Sequence, residues 1–315
     1  MSSPLVSVVI VTYNCREEVG ECLGAIQDDC EVIVVDNRSS DGTANHVQSE
    51  FPKVKLIQND SNRGFGAANN QGLQVATGEF ALILNPDAAA KPGAINLLAS
   101  YMTQHLNVVA CGGKLLFKDG TLQESACNEL SLWVVFCEQT RLEKLFKHSS
   151  LLSPYWISGR HVSAGGNTPK RVAQVMGACV MLRRHQGEFP KFDERYNLYC
   201  EDTDLCKRIS KQGEIWYVPE AEFVHALGSS SIQNRHVAVQ LYNAGKERYF
   251  AIHHGRFSSL ICFGLDRLGA LGMAAAWSLA TIVTLGGWGS ARRKAALFWK
   301  VLFGPIFPSL PQSGP

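Results

Sequence analysis

The sequence predicts an α/β protein built on a doubly wound, Rossmann-like and mainly parallel sheet, and three observations predict it. Short β-branched runs with almost no polar interruption alternate with helix-length segments across the first ninety or so residues, the pattern of strands covered on both faces. Four successive runs end in polar side chains. At 315 residues, with 46% hydrophobic and 18% charged content, the chain is long and apolar enough to bury a full core.

The elements follow in order. "VSVVIVTYN" (6–14), "CEVIVVDN" (30–37), "VKLIQN" (54–59) and "FALILNPD" (80–87) read as buried strands. Segments 16–27, 41–51 and 66–76 between them read as helices, the second opened by Ser40 and Asp41. In such sheets ligands bind outside the carboxyl ends of the strands. Tyr13 and Asn14, Asp36 and Asn37, Asn59, and Asn85 with Asp87 all fall at those ends. Later, "VMGACVMLRR" (175–184) reads as another buried strand. "YCEDTDLCKRISKQG" reads as a helix with an apolar stripe of Leu205, Cys206 and Ile209, and with Gly213 at its stop.

Composition excludes several classes. A formal net charge of +2 makes no basic field for nucleic acid. Ten scattered cysteines without a CxxC pair read as reduced packing thiols and not as a disulfide framework. The amino-terminal run lacks a basic segment and is only strand-length, so no signal peptide is expected.

The tripeptide Asn85-Pro86-Asp87 poses the central question. Asn, Pro and Asp are turn formers, yet a carboxylate at a strand end also suits a metal or phosphate. Sequence pattern alone leaves both readings open.

The blocks "SVVIVTYN", "VIVVDNRSSDGT", "NRGFGAANNQGLQVATGEFALILNPDA", "MGACVMLRR", "FDERYNLYCEDTDLCKR" and "VHALGSS", in this order and spacing, resemble the inverting glycosyltransferases of family two. These have the GT-A fold, and the similarity is strongest to rhamnosyltransferase-like enzymes of bacterial surface polysaccharide assembly. It spans about residues 5–230. The resemblance implies a nucleoside diphosphate sugar donor, with Asp36 against the base and Thr12 and Tyr13 lining the same pocket. It places Arg63, beside Gly64 and Gly66, on the nucleotide side. It aligns the family's metal-binding acidic pair on Asn85 and Asp87, with Asn85 replacing the first acid and His225 as second protein ligand of a divalent Mg2+ or Mn2+. It makes Asp202 the general base, Glu201 a neighbour that orients the acceptor, and Gly177, with Ala178, the small residues beside the donor sugar. Each assignment has a structural alternative. Asp36, Ser39 and Asp41 also fit as turn or cap residues, Arg63 as a solvated side chain, Gly177 as close packing, and His225 as a structural histidine. Glu201, Asp202 and Asp204 also complement a helix start. There the helix start is expected to keep Asp202 ionised with a low pKa. Asp204 is read as a cap only.

Residues 118–172 are less legible. "LSLWVVFCEQTRLEKLF" reads as an amphipathic helix bearing on acceptor or membrane, and "SGRHVSAGGNTPKR" as a mobile loop. Beyond about residue 240 the composition shifts. Residues 268–291 carry no charge and are flanked by Arg267 and by Arg292, Arg293 and Lys294. That length can span a bilayer. Its glycines, together with "ALFWKVLFGPIF", fit a helical hairpin on or dipping into the cytoplasmic leaflet equally well, and a packed tail or homodimer interface is the third reading. The expected organisation is a glycosyltransferase domain over 1–240, with a nucleotide-sugar half to about 115 and an acceptor half from 116, and a helical membrane-associated tail over 241–315. The function implied is transfer of a sugar, from dTDP-rhamnose, to a hydroxyl of a lipid-linked or polysaccharide acceptor at the inner face of the cell membrane. A catalytically silent nucleotide-sugar-binding protein of the same fold is the alternative.

Overall fold

The computed structural model describes residues 5–157, 159, 167–226, 235–285 and 287–304. Most of the segment read as a mobile loop, the last residues of "VHALGSS" and those of "ALFWKVLFGPIF" lie outside the described residues.

The first half is β1 (Val6–Thr12), α1 (Arg16–Ala25), β2 (Glu31–Asp36), α2 (Thr43–Glu50), β3 (Lys55–Gln58), α3 (Phe65–Val75) and β4 (Phe80–Leu84). These match the expected segments to within a few residues. Strands β3, β2, β1 and β4 lie side by side and parallel. Alternate residues of these strands serve opposite faces. Val8, Ile10, Val34, Leu82 and Leu84 pack with Val19 and Val47 of α1 and α2, whereas Val9, Ile33, Val35, Ala81 and Ile83 pack with Ala68 and Leu73 of α3. Truncating one of these side chains to alanine costs about 2–5 kcal/mol.

The second half adds β5 (Ala88–Ala90), α4 (Ala94–Gln104), β6 (Val108–Leu116), the short β7 (Leu122–Gln123) and β8 (Ala126–Cys127), α5 (Leu132–Gln139) and α6 (Leu142–Leu145). Then come β9 (Lys170–Val172), β10 (Gln174–Val175), β11 (Cys179–Arg183), α7 (Glu201–Ile209) and β12 (Glu214–His225). The main order is β3-β2-β1-β4-β11-β6-β12-β5. β11 is antiparallel to β4, so its amino end meets the carboxyl end of β4. β12 runs parallel to β6 with a register shift between Val218 and Glu222, around Pro219, the kind of place a sheet tolerates proline. Past that irregularity β12 pairs with β5, His225 opposite Ala88.

The tail is α8 (Arg235–His253), α9 (Gly255–Val283) and α10 (Gly289–Phe303). α9 and α10 form an antiparallel hairpin. Arg267 Nη1 donates to the carbonyls of Val301 and Leu302 at 2.7 Å, and Trp299 Nε1 to Ser278 Oγ at 3.1 Å. The helix is longer than the uncharged stretch suggested, because Cys262 and Asp266 bury against the protein and extend it towards its amino end. Tyr249, Phe250 and Cys262 share a cluster with Leu130, Val134 and Val135, so the tail docks on the second half through α5. A buried ion pair fixes the docking: Lys246 Nζ lies 2.7 Å from Asp266 Oδ1 and 3.2 Å from Glu138 Oε2, and Gln139 Nε2 donates to Asp266 Oδ1 at 2.8 Å.

Candidate active site

The strand ends build the first part of the site. Thr12 stands opposite Asp36, and its hydroxyl donates to Asp36 Oδ1 at 2.8 Å. Ser39 donates through N–H to Oδ2 at 2.9 Å and through its hydroxyl to Oδ1 at 2.6 Å. Asp36 is therefore a buried, oriented acceptor. Tyr13 follows on the rim, half-buried. Asp41 does cap: its carboxylate accepts from Arg16 N and Thr43 N at the starts of α1 and α2. Asn37 holds the glycine loop, donating from Nδ2 to Gly64 O at 3.2 Å and accepting from Asn59 Nδ2 at 2.9 Å. The Arg63 side chain is exposed beside it.

The second part is the Asn85-Pro86-Asp87 corner. Ala88 N donates to Asn85 O at 3.1 Å, closing a tight turn out of β4. The turn reading of the tripeptide therefore holds. Ala226 N donates to Asp87 O at 2.9 Å, which brings His225 alongside, with Nε2 3.1 Å from Asp87 Oδ1 and 3.3 Å from Asn85 Nδ2. On the other side of the ring, His225 Nδ1 lies 3.0 Å from Gln123 Oε1, an acceptor. With Nδ1 turned to Gln123, Nε2 faces the Asp87 carboxylate, and these two groups would hold a divalent cation between them. The oxygen and imidazole donors fit a hard or borderline divalent ion, and the outer hydrogen bond to Gln123 is of the kind that orients histidine ligands. Among the described residues no cluster of three His, Cys, Asp or Glu side chains is present, so such an ion would have two charged or imidazole protein ligands and would leave positions for diphosphate oxygens.

The third part is the head of α7. Tyr199 and Cys200 precede it with φ of 69° and 66°, left-handed values that cost about 1–3 kcal/mol each in a residue with a side chain. α8 clamps them: a Cβ at Gly245 would stand 2.6 Å from Tyr199 O. The clamp presents Asp202 to the strand ends. Asp202 Oδ2 accepts from Gly177 N at 2.9 Å and Oδ1 from Thr203 N at 2.8 Å. Asn85 N donates to the adjacent Ala178 O at 3.0 Å, so only the Gly177–Ala178 peptide separates the anchor of Asp202 from the anchor of Asn85. A Cβ at Gly177 would sit 3.3 Å from Asp202 Cβ; absent bulk here serves the carboxylate contact.

Burial raises both acidic pKa values, Glu201 to about 8, where the Asp202 charge adds to desolvation. The expectation of a low pKa for Asp202 is corrected, because desolvation outweighs its two N–H donors. Glu201 Oε2 is buried with no hydrogen-bond partner among the described residues. A single proton held by Glu201 leaves Asp202 ionised on its N–H donors. Asp204 is no cap. Fully buried, it accepts from Arg208 Nε at 2.7 Å and meets His253 Nε2 at 2.8 Å, tying α7 to the tail.

Residues 7–164 match the model of the glycosyl transferase family 2, "Glycosyl transferase family 2". The chain belongs to that family. This family 2 chain is 28% identical, over 243 residues, to the N-acetylglucosaminyl-diphospho-decaprenol L-rhamnosyltransferase of Mycobacterium tuberculosis, covering 69% of this chain and 75% of the relative. Its fold is that of the mannosyltransferase PcManGT from Pyrobaculum calidifontis, solved in complex with GDP-Man and Mn2+, at a TM-score of 0.53 and 18% identity over 96% of this chain and 88% of that one. It is a glycosyltransferase with the GT-A architecture.

One contributor escaped the sequence reading. Gln123 lies in the poorly legible stretch, and no local pattern announces a glutamine that meets a histidine 102 positions away. Ser39, read as a turn or cap residue, does bond Asp36 at the spacing of a side-chain turn.

Proposed function

We propose that this family 2 chain transfers L-rhamnose, from a dTDP-linked donor, with inversion onto a hydroxyl of a lipid-linked glycan at the inner face of the cell membrane. The observation that carries the reading is the junction at Gly177–Ala178, which sets the Asp202 carboxylate beside the Asn85–Asp87–His225 corner. Asp36, with Thr12 and Tyr13, receives the base, and Arg63 borders the nucleotide. Interstrand spacing of about 4.8 Å puts the ends of β2 and β4 about 10 Å apart, on either side of β1. Asp202 takes the proton of the acceptor hydroxyl. The oxygen forms a bond to the anomeric carbon from the face opposite the diphosphate, and the bond from that carbon to the diphosphate breaks, its electron pair leaving with the nucleotide. Glu201 orients the acceptor. Asp87 and His225 would hold Mg2+ or Mn2+, which supplies positive charge to the leaving diphosphate.

The sugar and the lipid carrier are supported by the M. tuberculosis relative, whose name specifies an L-rhamnosyltransferase acting on a decaprenol diphosphate. Membrane contact is supported by α9. This helix is long and apolar enough to cross a membrane, but Asp266 and Gly269 of its first half pack on Lys246 and Gln139, so one face belongs to the protein. On the other face Phe257, Leu260, Leu268, Leu271, Leu279 and Ile282 are exposed along its length. Such a helix lies along a leaflet. A donor panel assayed with a decaprenyl-diphosphate-linked N-acetylglucosamine acceptor tests the proposal. The expected product carries the anomeric configuration opposite to that of the donor, and turnover with no donor, or retention of configuration, would refute it.

A further inference from the structure

We infer that a second carbohydrate subsite lies beside the base, in a cavity of about 370 Å3 between α7, the β9–β10 strip, the segment before α5 and helix α8. It rests on the glycosyl-transfer reading and takes a neutral glycosyl unit of the acceptor glycan, distinct from the unit that bears the reacting hydroxyl. The volume falls within the span of small-molecule pockets, about 300–1,000 Å3.

The floor is buried and mixed in character. Gln174, Thr203 and Tyr249 are 5%, 6% and 1% exposed, beside Leu130 and Val172. Asn128, Glu129, Arg171 and Ser210 form an exposed rim. Thr203, Lys207 and Ser210 share one face of α7, at spacings of four and three residues. Thr203 also donates its N–H to Asp202 Oδ1, so an occupant would touch the residue that holds the base.

Charge selects the ligand class. Lys207 is paired with Glu129, and Arg171 Nη1 with Glu214 Oε1 at 3.1 Å. Both cations of the cavity are thus offset by carboxylates, which disfavours a diphosphate. What is left is polar side chains with spare hydrogen-bonding capacity, Asn128 beyond its bond to Pro154 O at 2.6 Å, Gln174 beyond the one it accepts from Tyr155 at 3.1 Å and Ser210 beyond its bond to Lys207 O at 3.0 Å, over an aromatic and aliphatic floor, which suits sugar hydroxyl and acetamido groups. Tyr249 comes from the tail helix, so docking of the tail completes the cavity.

Saturation-transfer NMR on the full-length chain with free N-acetylglucosamine tests this, on the parent, Ser210→Phe and Asn128→Ala. Ser210 is exposed, so a phenylalanine there fills the cavity from its rim with little demand on the core. The parent is expected to transfer saturation to the sugar, inorganic pyrophosphate to leave that signal in place, Ser210→Phe to abolish it and Asn128→Ala to weaken it. In steady state Ser210→Phe should raise the KM for a lipid-linked acceptor carrying two sugars about tenfold and leave the KM for one carrying a single sugar unchanged, with donor KM and donor hydrolysis also unchanged. No sugar signal from the parent, displacement by pyrophosphate, or equal signals from the parent and both variants would overturn the subsite. Absence of turnover by the parent with every donor would instead overturn the transfer reading, and the NMR result would still decide the cavity.

Discussion

Gly177 donates its N–H to Asp202 Oδ2 at 2.9 Å, across the meeting point of β11 and the head of α7. The bond aims the carboxylate at the strand ends while favouring its ionised form. Asp202→Asn keeps the size of the side chain but removes its capacity to take a proton. Transfer is expected to fall by about 10²- to 10⁴-fold with donor affinity within a few-fold of the parent, as read by donor titration and initial rates. Transfer within threefold of the parent would sink the assignment.

Glu201 offers a pH test separate from catalysis. Burial, with the Asp202 charge, raises its pKa from 4.5 to about 8, so the folded chain binds this proton more tightly than the unfolded chain. Stability from this group is present in full below pH 4.5 and declines as pH rises towards 8. Glu201→Gln removes that slope. Thermal unfolding across pH 4.5–8.5 should show the variant gaining on the parent as pH increases; parallel curves would contradict the burial argument.

The His225–Gln123 contact makes a prediction about metal. Gln123→Leu removes the acceptor for Nδ1–H and frees the ring to rotate or change tautomer. Losing such an outer partner typically costs 10- to 100-fold in metal affinity. Mn2+ titration followed by electron paramagnetic resonance should show a loss of about that size, with Gln123→Glu close to the parent because a carboxylate still accepts. Asp87→Ala should weaken nucleoside diphosphate binding far more than nucleoside binding, and chelation should stop transfer. Unchanged Mn2+ affinity in Gln123→Leu would remove Gln123 from the site.

Much of this was legible in the sequence because the signals are local. Continuous apolar runs marked β1, β2, β3 and β4, and the polar residues closing them marked Asp36, Asn85 and Asp87 as a strand-end group. Glu201 and Asp202 were singled out by the resemblance to family two, since an acidic helix start alone reads as capping. What was illegible depends on distant partners. Asp204 resembles any first-turn acid until His253 arrives from the tail. Lys246 lies in a stretch of basic and aromatic residues, yet it is fully buried because Asp266 and Glu138 close over it. The raised pKa of Asp202 depends on packing around the helix head, which no helix-dipole argument supplies. β11 enters antiparallel between β4 and β6, and this reversal, which creates the Gly177–Ala178 junction, has no signature in hydrophobic period.

The last prediction concerns the tail, where docking and membrane contact must be separated. Burial pulls the Lys246 ammonium pKa down and the carboxylates of Glu138 and Asp266 more than offset it, so the charge persists and needs its partners. Truncation after Gly255 removes Asp266 and leaves Lys246 exposed to a lost contact; breaking one side of a buried pair costs about 3–5 kcal/mol. The truncated chain is therefore expected to unfold at lower denaturant than the full chain, and truncation is a poor test of membrane binding. Charge replacement on the outer surface is a better one. Arg292, Arg293 and Lys294 are exposed on α10, near the exposed Trp288 and Leu285 at the hairpin turn. Each basic residue near an anionic surface contributes about 1 kcal/mol, and salt screens it. Replacing all three by Gln should lower the unfolding midpoint only slightly, through the lost contact of Lys294 over the Trp277 ring, while weakening flotation with anionic liposomes, with a smaller effect on neutral ones and a smaller difference in high salt. If the parent chain ignores both kinds of liposome, the apolar stripe of α9 faces something other than lipid, and the leaflet reading fails.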